Sequence, residues 1–156
     1  MYKTGLLIAR IAVLSALSVA GAMVPIPSPV GSIALDSFPC YLGGLAFGPV
    51  VGGMVGMIGH LASATRAGFP LGILHVAVAL LMGLVGISVA FVAKRTNPYL
   101  GVLVGILVNT SGAPIAVPIF GWGVLPVLVP FLFLASLVNG LIALFAHEAL
   151  SRAGLS

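Results

Sequence analysis

Two isolated charged residues, Asp36 and Arg66, are the side chains in this sequence best suited to binding a polar ligand. The 156-residue chain holds only 6 basic and 2 acidic residues. Each of the other charged residues lies near the end of a long apolar segment: Lys3, Arg10, Lys94, Arg95, Glu148 and Arg152. A charge at the centre of a membrane helix costs about 2.5 to 3.5 kcal/mol, so a charge kept near hydrocarbon suggests a function.

Other polar and aromatic residues are predicted to lie at the same level as these two charges. Convergent polar groups beside aromatic surfaces are typical of a site for a small molecule. We therefore expect a small-molecule binding site, with these candidate residues: Asp36, Phe38, His60, Arg66, Phe69, His75, Asn109 and Trp122.

Each candidate also has a purely structural interpretation. Asp36 could be a helix N-cap, with Pro39 in the first turn. Arg66 could extend to the lipid headgroups, and Trp122 could belong to the interfacial aromatic belt. Hydrogen bonding between helices is the simpler interpretation of the remaining polar residues, namely His60, His75, Asn109 and Asn139.

The sequence lacks the motifs of common catalytic sites. It has no phosphate-binding G-x-x-x-x-G-K-[ST] loop, no G-x-S-x-G motif and no H-E-x-x-H motif. Asp36 and Glu148 are predicted on opposite sides of the membrane and cannot act as a catalytic pair. Cys40 is the only cysteine, and neither histidine near the site has a carboxylate or cysteine partner at ligand spacing. We expect a protein that is not an enzyme and holds no metal or cofactor.

Composition predicts an integral membrane protein. Hydrophobic residues make up 61% of the chain, charged residues 5%, and the mean hydropathy is +1.32. Soluble domains contain about 25% charged residues. The net charge of +4 comes from basic residues at segment ends. Because they form no basic stripe, they indicate membrane topology and no nucleic-acid partner.

Proline and glycine divide the sequence into six apolar segments. A bilayer core needs about 20 helical residues. The second and third segments, at about 18 and 24 Å, are short for this, so we expect tilting or a loop that dips into the bilayer. We predict one six-helix, all-α domain over residues 1–156, with segments at about Gly5–Val24, Asp36–Phe47, Val50–Thr65, Leu71–Ala93, Tyr99–Val117 and Val124–Leu150.

Basic residues orient this bundle. If both termini are cytoplasmic, only Arg66 among the basic residues lies outside, as the positive-inside rule favours. The predicted outer loops are then residues 25–35, 66–70 and 118–123. We expect a multi-pass protein of a prokaryotic cytoplasmic membrane, with the candidate site at its outer end.

The first segment resembles a secretory signal peptide, but its pattern favours a retained helix. Arg10 interrupts the apolar run. Ala12, Ala16 and Ala20 recur at four-residue spacing and therefore line one helix face. Small residues at this spacing favour close helix packing.

The sequence resembles a family of membrane proteins, the substrate-binding S components of energy-coupling factor (ECF) vitamin transporters. The Ala12-x-x-x-Ala16-x-x-x-Ala20 pattern is similar to the alanine motif with which S components dock on their partner. The remaining motifs are most similar to S components assigned to alpha-ribazole, a benzimidazole nucleoside salvaged for cobalamin synthesis: Ala34-Leu35-Asp36-Ser37-Phe38-Pro39, Gly48-Pro49, Gly59-His60-Leu61 and Gly68-Phe69-Pro70-Leu71-Gly72.

The resemblance implies a transport mechanism. An S component binds a vitamin or precursor from outside, docks on a membrane scaffold subunit bearing two ATPases, and topples in the bilayer to release the ligand inside. It implies that Asp36 and Arg66 are polar ligand contacts, that His60, His75 and Asn109 are hydrogen-bonding residues, and that the aromatic candidates stack on or cover the ligand. A free-standing carrier or channel, a scaffold subunit, and an S component for another vitamin remain the alternatives.

Overall fold

The structure is a computed structural model that describes residues 2–26 and 33–155. Across these ranges the chain is helical, and its only β-type pairing is an isolated bridge between Pro25 and Ala34. Two short 3₁₀ helices, Ala113–Ala116 and Trp122–Val124, flank the shortest α-helix. The α-helices are α1 (Tyr2–Ala22), α2 (Phe38–Phe47), α3 (Pro49–Ala67), α4 (Leu74–Arg95), α5 (Pro98–Thr110), α6 (Val117–Phe120) and α7 (Leu125–Arg152).

The six predicted segments are confirmed as α1, α2, α3, α4, α5 and α7. Within the described part of the chain, four spans are long and apolar enough to cross a membrane: Thr4–Ala22, Leu74–Arg95, Pro98–Phe120 and Trp122–Arg152. Helix α3 has 19 residues, whereas α2 has 10 and is therefore only about 15 Å long.

Helix α3 is longer than the sequence predicted, which changes the position of Arg66. The predicted turn began at Arg66, but the helix continues through Ala67. It ends at Gly68, whose φ of 77° is a left-handed conformation that glycine adopts without a steric penalty. The Gly68 N–H bonds to the Thr65 carbonyl, which closes the helix end. Arg66 therefore lies in the last turn of α3.

Helix α5 is shorter than the predicted fifth segment. It ends at Thr110 and is followed by the 3₁₀ helix Ala113–Ala116. Pro114 explains the break, because its ring would clash with the carbonyl of Thr110 and it has no N–H to donate. The predicted loop 118–123 is wrong in part, since α6 and the second 3₁₀ helix occupy most of it.

Helix α1 packs against α2 and α3. Its end is tied to the residues before α2 by backbone hydrogen bonds, from Leu35 N to Val24 O at 3.1 Å and from Ile26 N to Ile33 O at 2.9 Å. The predicted outer loop 25–35 is thus closed at its base, while residues 27–32 lie outside the described ranges.

Three glycines allow α2, α3 and α4 to pack backbone against backbone. A Cβ atom on Gly52 would lie 2.8 Å from the Gly44 Cα and 2.8 Å from the Gly86 carbonyl oxygen. A Cβ on Gly86 would overlap the Gly52 backbone. The glycine-rich sequence of this segment, with Gly52, Gly53 and Gly56, predicts such close approach of backbones, and the contact at Gly52 confirms it. This contact holds the short α2 between its neighbours.

We predict that Gly86→Ala destabilises the protein by about 1 to 3 kcal/mol, because the new methyl group forces the α3 and α4 backbones apart. Thermal unfolding in detergent, followed by circular dichroism, measures this loss. Gly5→Ala is the matched control, because nothing lies within 4 Å of a Cβ built on Gly5 in α1. Equal unfolding temperatures for the two variants would contradict the proposed role of the glycine contact.

Candidate functional site

A cavity opens among the predicted outer ends of the helices. Its polar lining comes from the residues before α2 and from α3, α5 and α7, and its apolar lining comes mainly from α4, the 3₁₀ helix Ala113–Ala116 and α7. Six polar residues are among its lining residues, and apolar side chains from a buried cluster complete the walls. The polar residues are Asp36, Ser37, His60, Asn109, Ser136 and Asn139, and the apolar ones include Val78, Leu81, Leu128 and Leu132.

Asp36 is the only acidic side chain that lines this cavity, and it is 6% exposed. The Ser37 hydroxyl donates to its Oδ1 at 3.2 Å, and the Ser63 hydroxyl is also within hydrogen-bonding reach. The positive charge of Arg66 acts on the same carboxylate. The two charges singled out from the sequence are therefore electrostatically coupled.

The interpretation of Asp36 as a helix N-cap is wrong. Ser37 occupies the N-cap position of α2, and no side chain from that position caps the helix. The Asn139 side chain from α7 performs this role, because its Oδ1 accepts a hydrogen bond from Phe38 N at 2.7 Å. The Asp36 carboxylate is consequently not used to satisfy the helix end.

Asn139 fixes the segment that carries Asp36. Its Nδ2 donates to the Ala34 carbonyl at 3.2 Å and to the Ala135 carbonyl at 2.9 Å. Together with the bond from Phe38, these contacts hold α7 against both sides of Asp36. The expectation that Asn139 makes hydrogen bonds between helices is confirmed.

The two histidines form a hydrogen-bonded pair between α3 and α4. His60 Nε2 lies 3.0 Å from His75 Nδ1, and Leu71 N donates to His75 Nε2 at 3.2 Å. His60 lines the cavity, whereas His75 is 1% exposed and is not a lining residue. His75 therefore reaches the cavity only through His60, which confirms the interpretation of the pair as an interhelical contact.

Asn109 joins α5 to α7 at the cavity wall. Its Nδ2 donates to the Ser136 hydroxyl at 2.7 Å, and the Asn109 side chain is 9% exposed. The interhelical interpretation is confirmed here too. Asn109 also lines the cavity, so hydrogen bonding between helices and a position at the cavity are compatible.

The structure does not bring all eight candidate residues to the cavity. Asp36, His60 and Asn109 line it, but the other five do not. The charge of Arg66 acts on Asp36, and His75 is hydrogen-bonded to His60. Phe69, with a φ of 53°, places its ring edge-on to the His75 ring, at 5.5 Å between centroids. Phe38 contributes its backbone N–H, and Trp122 is 75% exposed, as an interfacial belt residue would be.

Sequence reasoning missed two polar lining residues on α7. Ser136 is not among the candidates predicted from the sequence, and Asn139 is predicted only to form hydrogen bonds between helices. They lie three residues apart and therefore share one helix face. Two polar residues on one face of an otherwise apolar span are a signal that could have identified this wall from the sequence.

The arrangement is suited to binding rather than to catalysis. A carboxylate, an imidazole and two amides surround a space with apolar walls, which is the usual composition of a small-molecule site. Among the residues that the structure describes, no group of three His, Cys, Asp or Glu side chains could hold a metal ion.

The alanine face of α1 is exposed in this chain. Ala12, Ala16 and Ala20 are all solvent- or lipid-accessible, whereas Leu14 and Ser18 face α2 and α3. The small-residue face is therefore left open by the intramolecular packing.

Comparison with known proteins identifies the family. Neither the curated proteins nor the solved structures include a significant match to the chain. The family model for the substrate-specific component of ECF transporters matches residues 6–151. These residues span the cavity and all six longer helices, so the chain belongs to the family of substrate-specific components of ECF transporters.

Proposed function

We propose that this chain captures alpha-ribazole from outside the cell and delivers it inward after docking on an ECF module. Membership of the family establishes the coarser statement: the chain is a multi-pass membrane subunit that binds a small-molecule substrate and works with an ECF module. It is a transport subunit rather than an enzyme, and this favours an S component over the free-standing carrier considered from the sequence.

The observation that carries the choice of ligand is a buried carboxylate beside apolar walls. Asp36 can accept hydrogen bonds from the hydroxyl groups of a ribose, and charge-assisted bonds of this kind are strong. Leu81 and Leu128 offer an apolar surface to a flat benzimidazole ring. A benzimidazole riboside combines these two chemistries in one molecule.

The candidates that do not line the cavity have indirect roles in this proposal. Arg66 acts on the ligand through the charge of Asp36, and His75 acts through His60. Phe38, Phe69 and Trp122 remain predicted stacking or lid residues, and of these Phe69 is joined to the site through its contact with His75.

We also propose that Ala12, Ala16 and Ala20 dock the chain on the membrane scaffold subunit of the module. A face of small side chains lets a partner helix approach closely, and dispersion contacts of this kind are the main attraction between helices in lipid. The exposure of all three residues supports this role.

We expect purified protein to bind alpha-ribazole saturably in isothermal titration calorimetry. Ribose, 5,6-dimethylbenzimidazole, adenosine and a panel of water-soluble vitamins serve as comparison ligands. Quenching of Trp122 fluorescence is a secondary signal, because this side chain does not line the cavity. Saturable binding of a different vitamin would replace the ligand assignment, and the absence of any binding would contradict it.

We predict that Asp36→Ala weakens binding of alpha-ribazole by about tenfold to a hundredfold, as expected for loss of a hydrogen bond to a charged group. Arg66→Ala should have a smaller effect, because Arg66 is exposed and acts through Asp36. Calorimetry gives both affinities, with Arg152→Ala at the opposite end of the bundle as the control. Unchanged affinity in both site variants would remove Asp36 and Arg66 from the site.

We predict that Ala16→Leu leaves ligand affinity unchanged and abolishes uptake, because the larger side chain keeps a partner helix at a distance. Uptake of labelled alpha-ribazole by cells that contain the whole transporter measures this effect. Ala77→Leu makes the same change at an exposed position of α4 and should leave uptake intact. Normal uptake with Ala16→Leu would contradict the docking face.

A further inference from the structure

The histidine pair contains a chain of hydrogen bonds that begins at a fixed donor. A backbone amide can only donate, so in the contact between Leu71 N and His75 Nε2 the imidazole nitrogen must accept. His75 Nε2 therefore carries a lone pair and no proton. An imidazolium has protons on both nitrogens, so this contact requires His75 to be neutral.

The state of His60 follows from the next bond in the chain. A neutral His75 without a proton on Nε2 carries its proton on Nδ1. This Nδ1–H group lies 3.0 Å from His60 Nε2 and donates to it. His60 Nε2 must then be the acceptor, so His60 is also neutral and carries its own proton on Nδ1.

The other nitrogen of His60, Nδ1, is a donor on a residue that lines the cavity. His60 lines the cavity, and its Nδ1 has no hydrogen-bond partner in the described residues. A donor without a partner among these residues is available to water or to a ligand. Burying it beside a ligand without an acceptor would leave it unsatisfied, which is costly in an apolar site.

We propose that His60 determines substrate specificity by donating a hydrogen bond from Nδ1 to an acceptor atom of the ligand, while His75 is the positioning residue that fixes this tautomer. The ligands selected are heterocycles with an unprotonated ring nitrogen or a carbonyl group at this point. The inference rests on the proposed function for the identity of the ligand, and on that assignment the acceptor is the imine nitrogen of the benzimidazole ring.

The tautomer is tested without any ligand, by nitrogen-15 NMR of the histidine rings. The chain has three histidines, and the His147→Gln variant leaves only the two of interest. The expected spectrum shows protonated Nδ1 and unprotonated Nε2 in both rings. His75→Phe removes the donor to His60 and should give a mixture of His60 tautomers. A proton on Nε2 of His60 in the otherwise unmodified protein would overturn the inference.

The role in specificity is tested with a pair of ligands that differ by one atom. Alpha-ribazole is compared with the corresponding dimethylindole riboside, in which a C–H group replaces the imine nitrogen. We expect the protein to bind the indole about tenfold more weakly, since its free donor is left unpaired. His60→Leu should bind the two ligands equally, and His75→Phe should discriminate between them less than the unmodified protein does.

The outcomes separate this inference from the proposed function. Equal affinity of the unmodified protein for both ribosides would overturn the role of His60 while upholding alpha-ribazole as the ligand. Binding of neither riboside would contradict the proposed function and the assigned acceptor together. A tenfold preference that persists in a folded His60→Leu variant would assign discrimination to another residue and overturn the inference.

Discussion

Close contact between helix backbones is the constraint on which this structure depends. Helices in a bilayer gain little by hiding apolar side chains from one another, because lipid tails are equally apolar. Their association therefore relies on dispersion contacts at short distance and on hydrogen bonds between helices. At Gly44, Gly52 and Gly86 no side chain separates α2, α3 and α4. This contact allows α2 to lie among α1, α3, α4 and α7, with residues 39–44 buried.

Hydrogen bonds then fix the segment that enters this packed centre. The residues before α2 cross the end of the bundle, where an unsatisfied backbone group would be costly. Asn139 satisfies backbone groups on both sides of Asp36, and so it positions the segment that carries this carboxylate. The polar residues of the site are thus largely held by other polar residues. In the proposed binding mode, Asp36 and the Nδ1 of His60 are the polar groups that contact the ligand.

The sequence was sufficient for the features that depend on local composition. The six apolar segments, the all-helical class and the glycine contact follow from hydrophobicity, proline and small residues. The predicted ends of the helices were less accurate. Gly68 ends α3 directly after Ala67, whereas Pro114 ends α5 four residues earlier, at Thr110. The capping of α2 by Asn139 could not be predicted, since it joins residues 101 positions apart. The local pattern therefore offers an N-cap as the alternative role of Asp36, and in the folded chain Asn139 of α7 takes that role.

The short length of α2 leaves space for the cavity at one end of this helix. A helix of 10 residues reaches only about half of a hydrocarbon core about 30 Å thick. Its Phe47 end lies under the Arg10 side chain, at 4.4 Å from guanidinium to ring centre, and its other end begins just after Asp36 and Ser37 on the cavity lining. The cavity therefore begins where α2 stops, about 15 Å or nearly three helical turns short of the full thickness of the core. In the proposed binding mode, the ligand therefore takes the place of half a transmembrane helix.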